Sequence, residues 1–260
     1  MVYSVHSVII KRTVPLKEAR KHAEHILKRK GVMVIKDPTT FRFENVPTHK
    51  FVPSTLRTKK INDVISLLVG KLKPSIFGKG VSREPPILSS TEHKAMSDGD
   101  IRHFDPNARI VIYRNLPNTT IEELLPEESS HIYLLYESSP NSGHWTTINR
   151  DKKGFNYFDS YGHKPDFPIQ WSPPELRAQF GEDYPHLSEM LSKATLPVHY
   201  NNCDYQSHDD GMSTCGRHSC FYTKAMMGGL TLEDYKTMMD KIEKEEGLSP
   251  DAIVSKYVSC

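Results

Sequence analysis

Gly143-His144-Trp145-Thr146-Thr147-Ile148-Asn149, then Arg150-Asp151-Lys152-Lys153-Gly154, then Phe155-Asn156-Tyr157-Phe158-Asp159-Ser160-Tyr161-Gly162 is the run that decides the fold. Residues 144–149 and 155–159 are rich in β-branched and aromatic side chains and read as two strands. The polar, glycine-containing stretch 150–154 between them reads as a hairpin turn. An antiparallel hairpin returns its last residue beside its first. His144 is therefore expected near Asp159, as a base and its orienting carboxylate require.

Further along, Thr214-Cys215-Gly216-Arg217-His218-Ser219-Cys220 opens a stretch with no proline, and no glycine after Gly216, until Gly228-Gly229. It reads as a buried helix that starts at Cys215. A thiol is a useful nucleophile only as thiolate, so it needs a base beside it and a third group to fix that base's tautomer and orientation. Cys215, His144 and Asp159 fit those three roles. Unpaired N–H groups and the dipole at a helix start favour a thiolate there and can hold an oxyanion. Trp145 reads as a wall packed beside the site or its substrate groove. The remaining cysteines are Cys203, Cys220 and Cys260. None stands at the short paired spacing of a zinc site, so no metal is expected, and Cys220 reads as a small buried hydrophobe.

The order Gly-His-Trp, a short hairpin ending in Phe-Asp-Ser-Tyr-Gly, and a downstream glutamine followed by Thr-Cys-Gly-Arg-His resembles the adenain-like cysteine proteases. That family includes the adenovirus maturation protease and its relatives in large DNA viruses, virophages and Polintons. More distantly it includes the Ulp-type, SUMO-processing proteases. The resemblance spans roughly residues 97 to 225 and leaves out the first eighty. It implies an α+β fold, a mixed β-sheet flanked by helices with the cysteine at a helix N-terminus. It also implies that Gln206 donates to the oxyanion hole. Gln206 lies nine residues before Cys215, more than in those enzymes, so residues 207–213 must bulge. The implied activity is endopeptidase cleavage of viral structural precursors at small-residue, glycine-containing sites, with no cofactor. Two alternatives stay open: an isopeptidase acting on SUMO or ubiquitin conjugates, and a nucleic-acid-binding virion protein that uses the protease fold as a platform.

At 260 residues with 37% hydrophobic content, the chain can build a real core in one large domain or two smaller ones. Four cysteines without a framework pattern fit a reducing compartment. No charged segment followed by a long apolar run opens the chain, and no stretch approaches a membrane span. An intracellular protein is expected, in host cytoplasm or nucleus and in the virion. The net charge of +2 conceals an asymmetry: residues 1–80 hold 17 Lys+Arg against 5 Asp+Glu, and the other 180 residues hold 17 against 27. A basic first third beside an acidic remainder suggests either a non-specific nucleic-acid contact or an attraction between the two parts.

Residues 1–72 read as a small basic α+β module: a strand over 3–11, a helix over 15–30, strands at 32–35 and 41–43, and a helix over 57–72. Residues 73–96, with Pro74, Gly78, Gly80 and Pro85-Pro86, read as a linker or an arm laid over the next domain. The protease domain is then expected over 97–260. A helix start is expected at Ser97-Asp98, strands at 110–113 and 132–136 and a short helix at 120–125. Amphipathic helices over 231–244 and 250–258 complete it.

Overall fold

The computed structural model describes residues 3–5, 8–10, 55–69, 90–139 and 142–258. The helix expected over 15–30, the strands expected at 32–35 and 41–43, most of the arm, and Cys260 lie outside the described residues. Two strands, β1 (Tyr3–Val5) and β2 (Val8–Ile10), pair antiparallel, so the single strand expected over 3–11 is a tight hairpin. Helix α1 (Thr55–Leu68) follows.

The main sheet has five strands in chain order: β3 (Ile110–Ile112), β4 (His131–Ser139), β5 (Ser142–Asp151), β6 (Gly154–Phe158) and β7 (Val198–Tyr200). The central three strands run antiparallel, whereas both outer pairs are parallel, which makes the sheet mixed. The α+β class expected from the sequence is the class observed. The hairpin turn is tighter than 150–154: β5 runs on to Asp151, whose Oδ1 accepts the N–H groups of Lys153 and Gly154. An aspartate that caps its own turn in this way sets the register of the strands on either side.

Side chains alternate across the sheet and feed two separate cores. Tyr133, Leu135, Trp145 and Phe158 join one cluster with α6 (Cys215–Met227), α7 (Leu232–Glu246) and α8 (Pro250–Tyr257). Ile132, Leu134, Tyr136, Ile148, Phe155 and Tyr157 join the other, with α3 (Ile121–Leu124) and α5 (His186–Ser192). Two further short helices are α2 (Asp98–Phe104) and α4 (Pro174–Phe180). Capping boxes at Ser97/Asp100, Thr120/Glu123 and Thr231/Asp234 fix the starts of α2, α3 and α7.

Helix α1 buries Ile61, Val64 and Ile65 in the same cluster as α6 and α7. The guanidinium of Arg57 lies on Glu233 and Asp234 at the start of α7. In packing, then, α1 belongs with the domain expected to begin at residue 97, although its sequence position puts it before the arm. Met96, near the end of the arm, is buried in that core too. No helix among the described residues is long and apolar enough to cross a membrane.

Candidate active site

The His-Trp pair sits near the start of β5, where the chain has just turned back from β4. Gly143 is required there, since a Cβ at that position would lie 1.8 Å from the Tyr136 carbonyl oxygen. His144 itself pairs across from Tyr136. The register of β5 with β6 sets Thr147 opposite Phe158, which would continue to place His144 opposite Tyr161 rather than Asp159. The strand ends before that point. Residues 159–162 form a turn closed by the Gly162 N–H on the Asp159 carbonyl at 2.9 Å, with Gly162 in the left-handed region at φ +68°. The turn swings the Asp159 carboxylate back, and His144 Nε2 lies 3.0 Å from its Oδ1.

Asp159 is fully buried and held from several sides. Its Oδ1 also accepts the Tyr161 N–H at 2.9 Å. Its backbone is clamped by Asn201, just past β7, whose Oδ1 accepts the Asp159 N–H at 2.8 Å and whose Nδ2 donates to the Asp159 carbonyl at 2.7 Å. Immediately before it, Phe158 stacks on Tyr222 of α6 with centroids 4.1 Å apart. A contact of that kind is worth about 1 kcal/mol beyond the area it buries. The carboxylate therefore has little freedom.

Cys215 is the first residue of α6, as expected. The preceding Thr214 makes no side-chain cap, so the first-turn N–H groups are left without a capping oxygen. With Nε2 of His144 committed to Asp159, the imidazole lines the same groove as Cys215, and the two groups are electrostatically coupled. Burial on its own would raise the Cys215 thiol. The hydrogen bond and charge of His144, with the backbone N–H groups of Trp145 and Gly216, outweigh burial and hold the thiol below its ordinary range. Burial likewise works against a proton on His144, but Asp159 and Cys215 push the imidazole up to about 10. The two opposite displacements share one cause, the attraction between a charged imidazole and a charged thiol, and each favours the charged form of its group.

Gln206 is buried and lines the same open groove as His144 and Cys215. Its Oε1 accepts the Ser160 hydroxyl at 2.7 Å, and its backbone N–H donates to the Ser160 carbonyl at 3.1 Å. With the oxygen end occupied, the amide nitrogen is the end left for a ligand. Trp145 takes a different part from its neighbours: its indole is buried in the core, and Nε1 donates to the Met96 carbonyl at 2.9 Å. It packs behind the groove and does not line it, while its backbone N–H serves the thiol.

Sequence reasoning missed most of the groove wall. Tyr161 stacks on His144 at 5.6 Å, and Trp171, 44% exposed, meets the same imidazole edge-on at 4.8 Å. His163 and His208 extend this collar, with Met212 beyond them. Four rings within the twelve residues after Asp159 (Tyr161, His163, Phe167 and Trp171) were the available signal. Among the described residues no group of three or more His, Cys, Asp or Glu side chains is placed to hold a metal ion.

No protein-family model matches the chain. It is 30% identical over 171 residues to the uncharacterized protein V9 of Sputnik virophage, covering 65% of this chain and 96% of that one. Among solved structures, a crystal structure of an ASFV protease aligns at a TM-score of 0.37 with 11% identity, over 97% of this chain and 92% of the other. The C-terminal Ulp1 protease domain in complex with Smt3, the yeast ortholog of SUMO, aligns at 0.33 with 16% identity, over 80% and 95%. At TM-scores this low, neither protein's activity carries over to this chain.

Proposed function

We propose that this chain, which belongs to the family of the uncharacterized protein V9 of Sputnik virophage, is a cysteine endopeptidase. The observation that carries the proposal is the imidazole of His144, held by the buried Asp159 carboxylate in the same groove as Cys215 at the uncapped start of α6. In the proposed reaction the Cys215 thiolate attacks a scissile carbonyl. His144 delivers its proton to the leaving amine and then activates the water that releases the acyl group from sulfur. Asp159 orients His144, and Gln206 with the Cys215 N–H holds the oxyanion. The proposed substrates are viral structural precursors cut at small-residue sites; the kinship to a virophage protein supports the viral context, and the cleavage sites follow only from the sequence resemblance to the adenain-like proteases. The test is incubation of the purified chain with capsid precursor polypeptides and, in parallel, with SUMO and ubiquitin conjugates. Cleavage of the conjugates alone would make the chain an isopeptidase instead.

The proposed pairing of a Cys215 thiolate with a protonated His144 also predicts a pH profile. At low pH the thiol regains its proton and the nucleophile is lost; at high pH His144 loses its proton and no acid remains for the leaving amine. The ratio kcat/KM should therefore be bell-shaped, with its acid limb below the ordinary thiol value of about 8.5 and its alkaline limb near the His144 value of about 10. An acid limb at or above about 8.5 would show that no pre-formed ion pair exists.

Residues 1–80 are proposed to contact nucleic acid non-specifically. Arg57 does not serve this contact, because Glu233 and Asp234 hold its guanidinium; Lys59 and Lys60 beside it are exposed. Binding of a labelled duplex, read by fluorescence anisotropy, should fall steeply between about 50 and 200 mM salt and weaken when both lysines are replaced. Absence of binding at the lower salt would leave the basic third as a partner for the acidic domain.

A further inference from the structure

Gln206 and Cys215, the two halves of the proposed oxyanion pocket, are separated by the loop 207–213, four of whose residues, 208–211, are exposed. A loop of that length does not by itself hold its ends at a fixed spacing. One buried side chain reaches both ends. Asp251, in the first turn of α8 and only 3% exposed, accepts the N–H of Ser207 on Oδ2 at 2.8 Å. Its Oδ1 accepts the hydroxyl of Thr214 and faces His218 Nε2 at 3.0 Å. Ser207 directly follows Gln206, Thr214 directly precedes Cys215, and His218 lies one turn into α6. The same contact explains the uncapped start of α6: the Thr214 hydroxyl, the natural cap, is turned away to Asp251 and leaves the helix N–H groups for the thiol and an oxyanion.

We propose that Asp251 is a positioning residue for the oxyanion pocket, a carboxylate clamp that fixes the spacing between Gln206 and the Cys215 N–H across the long loop. The inference rests on the cysteine-endopeptidase reading. Asp251 is not among the residues that line the groove, so its effect belongs in turnover and not in binding. It should also leave the reactivity of the thiol in place, because His144 and the N–H groups of Trp145 and Gly216, not Asp251, are what lower the thiol.

The test uses the full chain with two probes, the p-nitrophenyl ester of N-acetylglycine and iodoacetamide. Ester hydrolysis passes through an oxyanion; alkylation of Cys215 by iodoacetamide needs the thiolate alone. Asp251→Ala should lower kcat for the ester roughly 10²-fold, the cost of a donor misplaced by about 1 Å, with KM changed by less than about threefold. The alkylation rate of Cys215 should stay within about fivefold of the wild type. In a Gln206→Ala background the same substitution should cost less than about threefold, because the donor it positions is already gone. Asp251→Asn should regain at least roughly tenfold of the loss, since an amide oxygen still accepts the Ser207 N–H while its NH2 donates to the Thr214 hydroxyl. Wild-type turnover after Asp251→Ala, losses that multiply in the Gln206→Ala background, or alkylation that falls as far as kcat would each overturn the clamp. Should the alanine variant not fold, Asp251→Ser takes its place in the same cycle under the same criteria. A wild-type chain that neither hydrolyses the ester nor alkylates faster than a free thiol would overturn the endopeptidase reading itself.

Discussion

Replacing Cys215 by alanine is expected to abolish peptide hydrolysis and labelling by thiol-directed probes, the largest effect of any single substitution in the chain. Cys215 alone among the described cysteines combines a base, two backbone N–H groups and an open groove. Removing the sulfur leaves His144 without a proton to move and no atom to carry the acyl group. The other thiols provide the contrast. Cys220, five residues into α6, is fully buried and lies among apolar side chains of the core. Burial raises the Cys203 thiol, the direction opposite to Cys215. Cys220→Ala should keep most activity and cost about 1 kcal/mol of stability through the small void it leaves. Cys203→Ala and Cys260→Ala should be near neutral for turnover. Mass spectrometry after labelling, run beside a cleavage assay, checks all four variants. An active Cys215→Ala or a dead Cys220→Ala would move the site elsewhere.

The second large effect concerns Gln206. Its alanine variant should lose roughly 10²- to 10³-fold in kcat, the usual cost of one oxyanion donor, while Cys215 still labels. The separation follows because His144 and the N–H groups of Trp145 and Gly216 are what lower the thiol, and Gln206 is not among those groups. Its carboxamide is locked on the other side by Ser160, which predicts a smaller loss for Ser160→Ala through a loosened amide. Asn201, an amide donor five residues before Gln206, is spent on the Asp159 backbone. Full activity in the Gln206→Ala variant would mean that a backbone group alone holds the oxyanion.

The hairpin that carries His144 and the helix that starts at Cys215 were legible because their signals are local. Alternation, a turn aspartate with a glycine, and a proline-free stretch after Cys215 are written in adjacent residues. What was not legible depends on contacts distant in sequence. Strand β7 has only three residues, and its identity comes from parallel pairing with β6, which no pattern within 198–200 announces. Helices α4 and α5, seven residues each, are too short to show a period. The periodicity of α1 was readable, but its partner was not, since nothing in residues 55–68 says that Val64 and Ile65 will meet α6 and α7 rather than the segments preceding them. At the site, the sequence placed His144 opposite Asp159 by assuming that the hairpin register would run to its end. The two groups do meet, through the turn at 159–162 instead. The aromatic collar and Asp251 were invisible for the same reason as β7, because each acquires its role only once separate segments come together.

Strand β5 and helix α6 are joined by a polar seam as well as an apolar one. The Ser219 hydroxyl donates to the Trp145 carbonyl, the Thr147 and Thr223 hydroxyls share a hydrogen bond, and the Tyr222 hydroxyl donates to Asn149. His144 rides on one side of this seam and Cys215 on the other. All of these groups are buried, so parting the two elements strands several of them at once, each costing about 1–3 kcal/mol. Openings that expensive merge with unfolding of the whole domain. The acid–base group and the sulfur therefore keep their separation through every smaller fluctuation, and heat takes away that separation only when it takes away the fold. The exposed residues 208–211 lie outside this seam, so a displacement there leaves the pair in place. On the proposed reading, the part of the groove rim at 208–211 is thus mechanically separate from the element pair that holds the sulfur and the ring in register.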